Sequence, residues 1–245
     1  LNIILPEVYL SSPDKPARIE KIRSTMKEYL AGNVFDSAKK EFIYIERKTG
    51  YGRIRHGLMT AIDLETYEWK PFSKALIRAT EATIVDRIPP RMEIRRGAAV
   101  ESPHIMLLVN DPDCAVVEKT GELAKKKAPV YDGDLMLNSG HITGWAVKDD
   151  SSVDALYSAL EKVAAANTDK DGDTFMFAVG DGNHSLATAK AVWDEYKTKL
   201  IAEGKSEKEL AECNVRYALV ELVNIYDTGL TFEPIHRVLF NASAE

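Results

Sequence analysis

Two stretches of this chain carry residue types that could do chemistry together. The first is Gly180-Asp181-Gly182-Asn183-His184-Ser185, which follows the apolar run Phe175–Val179 and precedes a helical pattern. A strand, a glycine-rich turn and a helix start together aim backbone N–H groups and the positive end of a helix dipole at an anion. The turn adds a carboxylate (Asp181), an amide (Asn183) and an imidazole (His184). At a helix start the dipole disfavours the imidazolium, so His184 is available as a neutral base or hydrogen-bond partner. Ser185 suits a helix N-cap better than a nucleophile, since no G-x-S-x-G motif supports it. The second stretch is Arg78 to Arg87, in which Glu81 and Asp86 flank Thr83. It fits a catalytic acid–base set and a surface ion-pair network equally well.

Other motifs are weaker. Gly180-x-Gly182 begins like the dinucleotide fingerprint, but Ser185 stands where the third glycine belongs. No G-x-x-x-x-G-K-[ST] string is present, which excludes a P-loop. Asn167 to Asp173 opens like a calcium loop. The acid required at its twelfth position would fall on Ala178, so it reads as a solvated acidic turn. The histidines, His56, His104, His141, His184 and His236, show no metal-type spacing. His104 and His141 sit at strand starts, where a structural role is favoured.

The elements that would position these groups follow from periodicity. Ile19, Ile22, Met26 and Tyr29 mark a helix from Arg18 to near Gly32, after an extended, proline-broken start. Glu41–Arg47 and Arg53–Leu64 form a hairpin across Thr49–Gly52. His104–Val109 is a buried strand, and 114–127 a helix. Pro129–Leu137 and His141–Val147 form a second hairpin, and a helix begins at Ser152. Leu186, Ala189, Trp193, Tyr196 and Leu200 give the helix after the turn one apolar face. Ser206 with Glu209 is a capping box, leading to a strand at Val215–Asn224. Asp227–Phe240 is irregular. The sum is an α/β or α+β fold with a mixed sheet, flanking helices and hairpins.

With 245 residues and no linker-like segment, residues 1–245 read as one α/β domain without an internal boundary. Leu1 in place of Met suggests a piece of a longer protein. Cys114 and Cys213 read as reduced, buried thiols in helical stretches, which fits a cytoplasmic protein. No run reaches the roughly 20 apolar residues of a membrane span. The charge of −6 argues against broad nucleic-acid binding; a small-molecule substrate is the expected partner, and a protein partner stays open. Arg87, Arg91, Arg95 and Arg96 form one basic cluster, read as an exposed loop.

The strings Gly57–Leu64, Leu76 to Arg91, Val179–Ala189 and Pro234-Ile235-His236-Arg237 resemble the prokaryotic domain-of-unknown-function family ten-fifteen along most of the chain. The family's usual turn, Asp-Gly-His-His-Arg, is similar to the Asp-Gly-His motif of free-serine kinases in the ParB/sulfiredoxin-like superfamily. Those enzymes phosphorylate small hydroxyl substrates with ADP or ATP. The resemblance implies ATP or ADP with Mg²⁺, a ParB-like arrangement around Gly180–His184, and catalysis by Asp181, His184 and an upstream base, Glu81. Asp181 would hold the metal, and Gly180, Gly182, Asn183, Ser185, Arg78 and Arg87 the nucleotide. Asn183 and Ser185 depart from the family's His and Arg, which removes a bidentate phosphate clamp. Besides a phosphotransferase, two readings stay open: a nucleotide-gated switch or scaffold, and a hydrolase with metal at Asp181 and His184.

Overall fold

The computed structural model describes residues 2–50, 52–102 and 104–231. Helix α1 (Lys15–Ala31) opens with Pro16 in its first turn, where a missing N–H costs nothing. The first hairpin is β1 (Phe42–Lys48) and β2 (Ile54–Asp63), antiparallel with Ile45 opposite Gly57. Two short strands follow, β3 (Tyr67–Glu68) and β4 (Ile77–Arg78), then α2 (Ile88–Arg95) and β5 (Ile105–Val109). Next come α3 (Val117–Ala124), β6 (Tyr131–Asp134), β7 (His141–Val147) and α4 (Asp150–Ala166). The chain continues through β8 (Phe177–Asp181), α5 (Asn183–Ala202), α6 (Glu207–Ala211) and β9 (Tyr217–Asn224).

The described strands form one mixed sheet, ordered β3-β4-β8-β5-β9-β2-β1-β7-β6. β3 and β4, β4 and β8, and β5 and β9 pair in parallel, while the other pairs, including β5 with β8, are antiparallel. The expected mixed α/β class is therefore correct. Helix α3 packs on β1, β2 and β7 and against α4, and α5 packs against α2 and β5. The core joins Leu58, Ile105, Leu107, Val179 and Val220 of the sheet to Leu186, Ala189 and Trp193 of α5. Trp193 is fully buried, and its indole N–H donates to Glu65.

Several boundaries differ from the sequence reading, each for a local reason. The strand expected at Phe175–Val179 starts two residues later. Met176 and Phe177 N–H groups both donate to Leu76 O, and Phe175 lies outside the strand beneath the Arg78 guanidinium, 4.7 Å from its ring centre. Tyr157 and Tyr196, placed on apolar helix faces, are half-exposed. The arginine cluster is not a loop. Pro89 and Pro90 fill the first turn of α2, whose fixed φ suits a helix start. Its arginines pair with distant carboxylates: Arg91 with Glu7, Arg95 with Glu101 at 2.6 Å, Arg96 with Glu195. Both cysteines are free and half-buried, but they lie in connections and not in helices. His236 and the Pro234–Arg237 string lie outside the described residues.

Candidate active site

β4 and β8 run parallel, with Ile77 opposite Phe177 and Arg78 opposite Ala178. The segments that leave their carboxyl ends, Ala79–Arg87 and Gly180–Ser185, therefore meet at one end of the sheet. On its other side β8 meets β5 antiparallel, so strand direction reverses there.

The glycines of the turn have packing reasons. The register of β8 on β5 shifts between Met106 and Leu107, which stand opposite Asp181 and Val179. Gly180 sits in that irregularity, where a Cβ would lie 2.7 Å from Leu108 Cγ. Gly182 takes φ +86°, and a Cβ there would meet Ile105 Cα at 3.1 Å. The half fingerprint thus reflects a bulge and a left-handed residue ahead of the helix. Gly182, and not Ser185, is the N-cap, and it has no side chain with which to cap. The first intrahelical bond runs from Leu186 N to Gly182 O at 2.9 Å. The N–H groups of Asn183, His184 and Ser185 precede it and have no acceptor within the helix.

Two side chains at the helix start tie the first stretch to the second. Asn183, buried, accepts from Thr80 N at 3.1 Å and donates to Thr80 Oγ1 at 3.2 Å. Thr80 Oγ1 in turn donates to Val179 O at 2.6 Å. His184 Nε2 accepts from Ile84 N at 3.3 Å, which places the ring proton on Nδ1 in the neutral form. Glu81 is exposed on the loop between these two ties. Asp181 is exposed as well, and its Oδ1 accepts from Gly182 N at 2.8 Å.

The expected site residues divide accordingly. Gly180, Asp181, Gly182, Asn183, His184, Ser185 and Glu81 share one end of the sheet. Arg87 is exposed at the start of α2, and its carbonyl accepts from Arg91. Arg78 does not join them. Its guanidinium donates to Ala75 O at 2.8 Å and Thr174 O at 3.3 Å, both at the opposite ends of β4 and β8. The sequence reading assigned no strand here, and the side chain's backward turn depends on carbonyls that only the fold brings near.

A cluster that the sequence did not reveal lies where β5 and β9 end. Asp227, buried, accepts from His56 N at 2.6 Å, from His56 Nδ1 at 3.2 Å and from Gly229 N at 2.7 Å. The His56 ring stacks on Tyr44, with centroids 6.3 Å apart. Asn224, fully buried, donates to Glu118 at 3.1 Å and to Asp111 O at 2.8 Å. The hydrogen bond to Asp227 holds His56 above the usual histidine value. Burial pushes Asp227 up, but the bonds from His56 and Gly229 outweigh it and leave the carboxyl low. Burial keeps Glu118 above the usual range. His56 and Asp227, and Asn224 and Glu118, are separated by over a hundred residues, so no local spacing could have signalled them.

The family model for Protein of unknown function (DUF1015) matches residues 1–245. The chain belongs to that family. No curated protein and no solved structure matches it. Among the described residues of this DUF1015 chain, no helix is long and apolar enough to cross a membrane. No group of three or more His, Cys, Asp or Glu side chains among them is placed to hold a metal ion. The acidic turn at Asn167–Asp173 is closed on itself, with Asp169 accepting from the N–H groups of Asp171 and Asp173.

Proposed function

We propose that this DUF1015 chain is a nucleotide-dependent phosphotransferase acting on a hydroxyl group. One observation carries the reading: an uncapped first turn of α5 at the carboxyl ends of two parallel strands, with the carboxylates of Asp181 and Glu81 exposed beside it. The N–H groups of Asn183, His184 and Ser185 suit the oxygens of a terminal phosphate. Mg²⁺ is held by one or two carboxylates plus phosphate oxygens, so Asp181 alone suffices as its protein ligand, and the ion neutralises charge on the transferred group. The resemblance of the turn to that of the free-serine kinases supports the same assignment.

In this reading the acceptor oxygen bonds to the terminal phosphorus of ATP as the bridging P–O bond breaks. ADP leaves with the electron pair, and the hydroxyl proton passes to the Glu81 carboxylate. Glu81 suits the base role better than His184, whose Nε2 accepts from Ile84 N–H. The part of His184, with Asn183, is to hold Glu81 beside the helix start.

Calorimetric titration with ATP, ADP and CTP in Mg²⁺ tests this. At least one nucleotide binds, and Asp181→Asn weakens it tenfold or more in Mg²⁺. Absence of binding by all of them removes the reading. The two ties from α5 to the Thr80–Ile84 loop also favour a second reading, a nucleotide-gated switch without turnover. Nucleotide binding that alters hydrogen exchange in that loop, with no phosphoryl transfer to any hydroxyl compound, would select it.

A further inference from the structure

Ser185, Thr188, Val192, Glu195, Tyr196 and Lys199 form one stripe along α5. That stripe is the floor of a trough of about 1010 Å³. From Ser185 to Lys199 it extends about 21 Å, at 1.5 Å rise per residue. Ile19, Ile22 and Met26 of α1, Ile94 of α2, and Ala98 and Val100 beyond it also line the trough. The volume and the mainly apolar lining are those of a ligand pocket, not of a packing defect.

The two ends differ chemically. α2 runs alongside α5 in the same direction, tied at Ile84 to His184 and again at Arg96 to Glu195. At the first end the trough is lined by Ser185, whose N–H belongs to the proposed phosphate site. At the far end one carboxylate, Glu195, serves both Arg96 and Lys199, the latter at 3.2 Å. Arg23 lies there too, donating to Glu93 O at 3.0 Å, and its Nε has no acceptor among the described residues. Three cations (Arg23, Arg96, Lys199) gather there against two carboxylates, Glu195 and Glu20, the latter 2.7 Å from Arg23, in a chain whose net charge is −6. This local reversal of sign favours an anion at the far end.

We propose that the acceptor substrate is an elongated amphiphile of the ω-hydroxy carboxylate class. Its hydroxyl lies at Ser185, its apolar body between α1 and α2, and its carboxylate at Arg96 and Lys199. The hydroxyl end rests on the phosphotransferase reading; the apolar body and the anionic end rest on the trough alone.

The test is calorimetry with 12-hydroxydodecanoate on the nucleotide-free chain. It binds saturably, 1-dodecanol binds at least tenfold more weakly, and glycolate does not bind. Lys199→Glu, a change at an exposed site, removes the preference for the carboxylate while leaving dodecanol unchanged. Ile22→Trp fills the trough from α1 and weakens both, with the melting temperature as a check on folding. No binding of 12-hydroxydodecanoate to the wild type, or equal binding to both variants, overturns the proposal. ATP binding without amphiphile binding overturns it too and leaves the phosphate site standing. Amphiphile binding without nucleotide binding removes the phosphotransferase reading and the hydroxyl end, and keeps the trough as a binding site.

Discussion

Asn183 grips Thr80 twice, accepting from its N–H at 3.1 Å and donating to its hydroxyl at 3.2 Å. One amide at the start of α5 thereby fixes a loop more than a hundred positions earlier in the chain. Asn183→Ala leaves the Thr80 N–H without its acceptor, at a cost of about 1–3 kcal/mol. A lowered denaturation midpoint and faster hydrogen exchange at Thr80–Ile84 are the expected signs. An unchanged exchange rate there would remove the tie.

Gly182 adopts φ +86° and stands against the backbone of Ile105. Gly182→Ala combines the left-handed strain of a side-chain-bearing residue with a close contact, and costs roughly 1–3 kcal/mol. Gly180→Ala meets the Leu108 side chain, its Cγ at 2.7 Å, and no backbone, and carries no left-handed strain, so its cost is smaller. Thermal unfolding of the two variants should show that order.

The His56–Asp227 pair makes stability depend on pH with a definite sign. The contribution of His56, held above its ordinary 6.5, is fully present below that value and is lost as pH rises through the raised one. The contribution of Asp227, held below its ordinary 3.8, is present above that value and is lost as pH falls through the lowered one. The pair therefore stabilises most between about pH 4 and 6.5. His56→Ala should cost about 2 kcal/mol near pH 6, the size of a hydrogen bond to a charged group, and less at pH 9. Equal destabilisation at both values would contradict the charged pairing.

Glu118 adds a second slope of the same direction as that of His56. Its carboxyl is held above the usual 4.5 by burial, so ionising it above that value favours the unfolded chain. Glu118→Gln keeps an oxygen for Asn224 to donate to and removes the charge. The variant should melt above the wild type at pH 8, and the two should converge at pH 4.

Trp193 tests the packing of α5 on the sheet. Its ring is fully buried and its indole N–H donates to Glu65. Trp193→Ala should cost about 3–5 kcal/mol, as large core truncations do. Trp193→Phe should cost less, because most of the packing survives.

Local physics made much of the fold legible. Periodicity and turn residues placed α1, the hairpins β1–β2 and β6–β7, α4, and the Ser206–Glu209 capping box, because each depends on neighbours a few residues apart. The turn at Gly180–Ser185 was also visible, as a glycine pair before an apolar helix face. Local pattern could not say that Gly182 is the cap, that Pro89 and Pro90 start a helix, or that Arg78 turns away from the turn. The first and last of these depend on Ile105, Ala75 and Thr174, which reach their places only when β4, β8 and β5 pair.

The chain alone determined residue types, their short-range order, and hence an anion-friendly helix start with carboxylates somewhere near. Tertiary structure decided which carboxylates and which hydroxyls share an end of the sheet. It placed Glu81 between two ties to α5, engaged the His184 lone pair with Ile84, and joined His56 to Asp227. The physical reason is range: propensity and periodicity act over a turn or a strand, whereas side chains a hundred residues apart meet only when the sheet's pairing closes the distance.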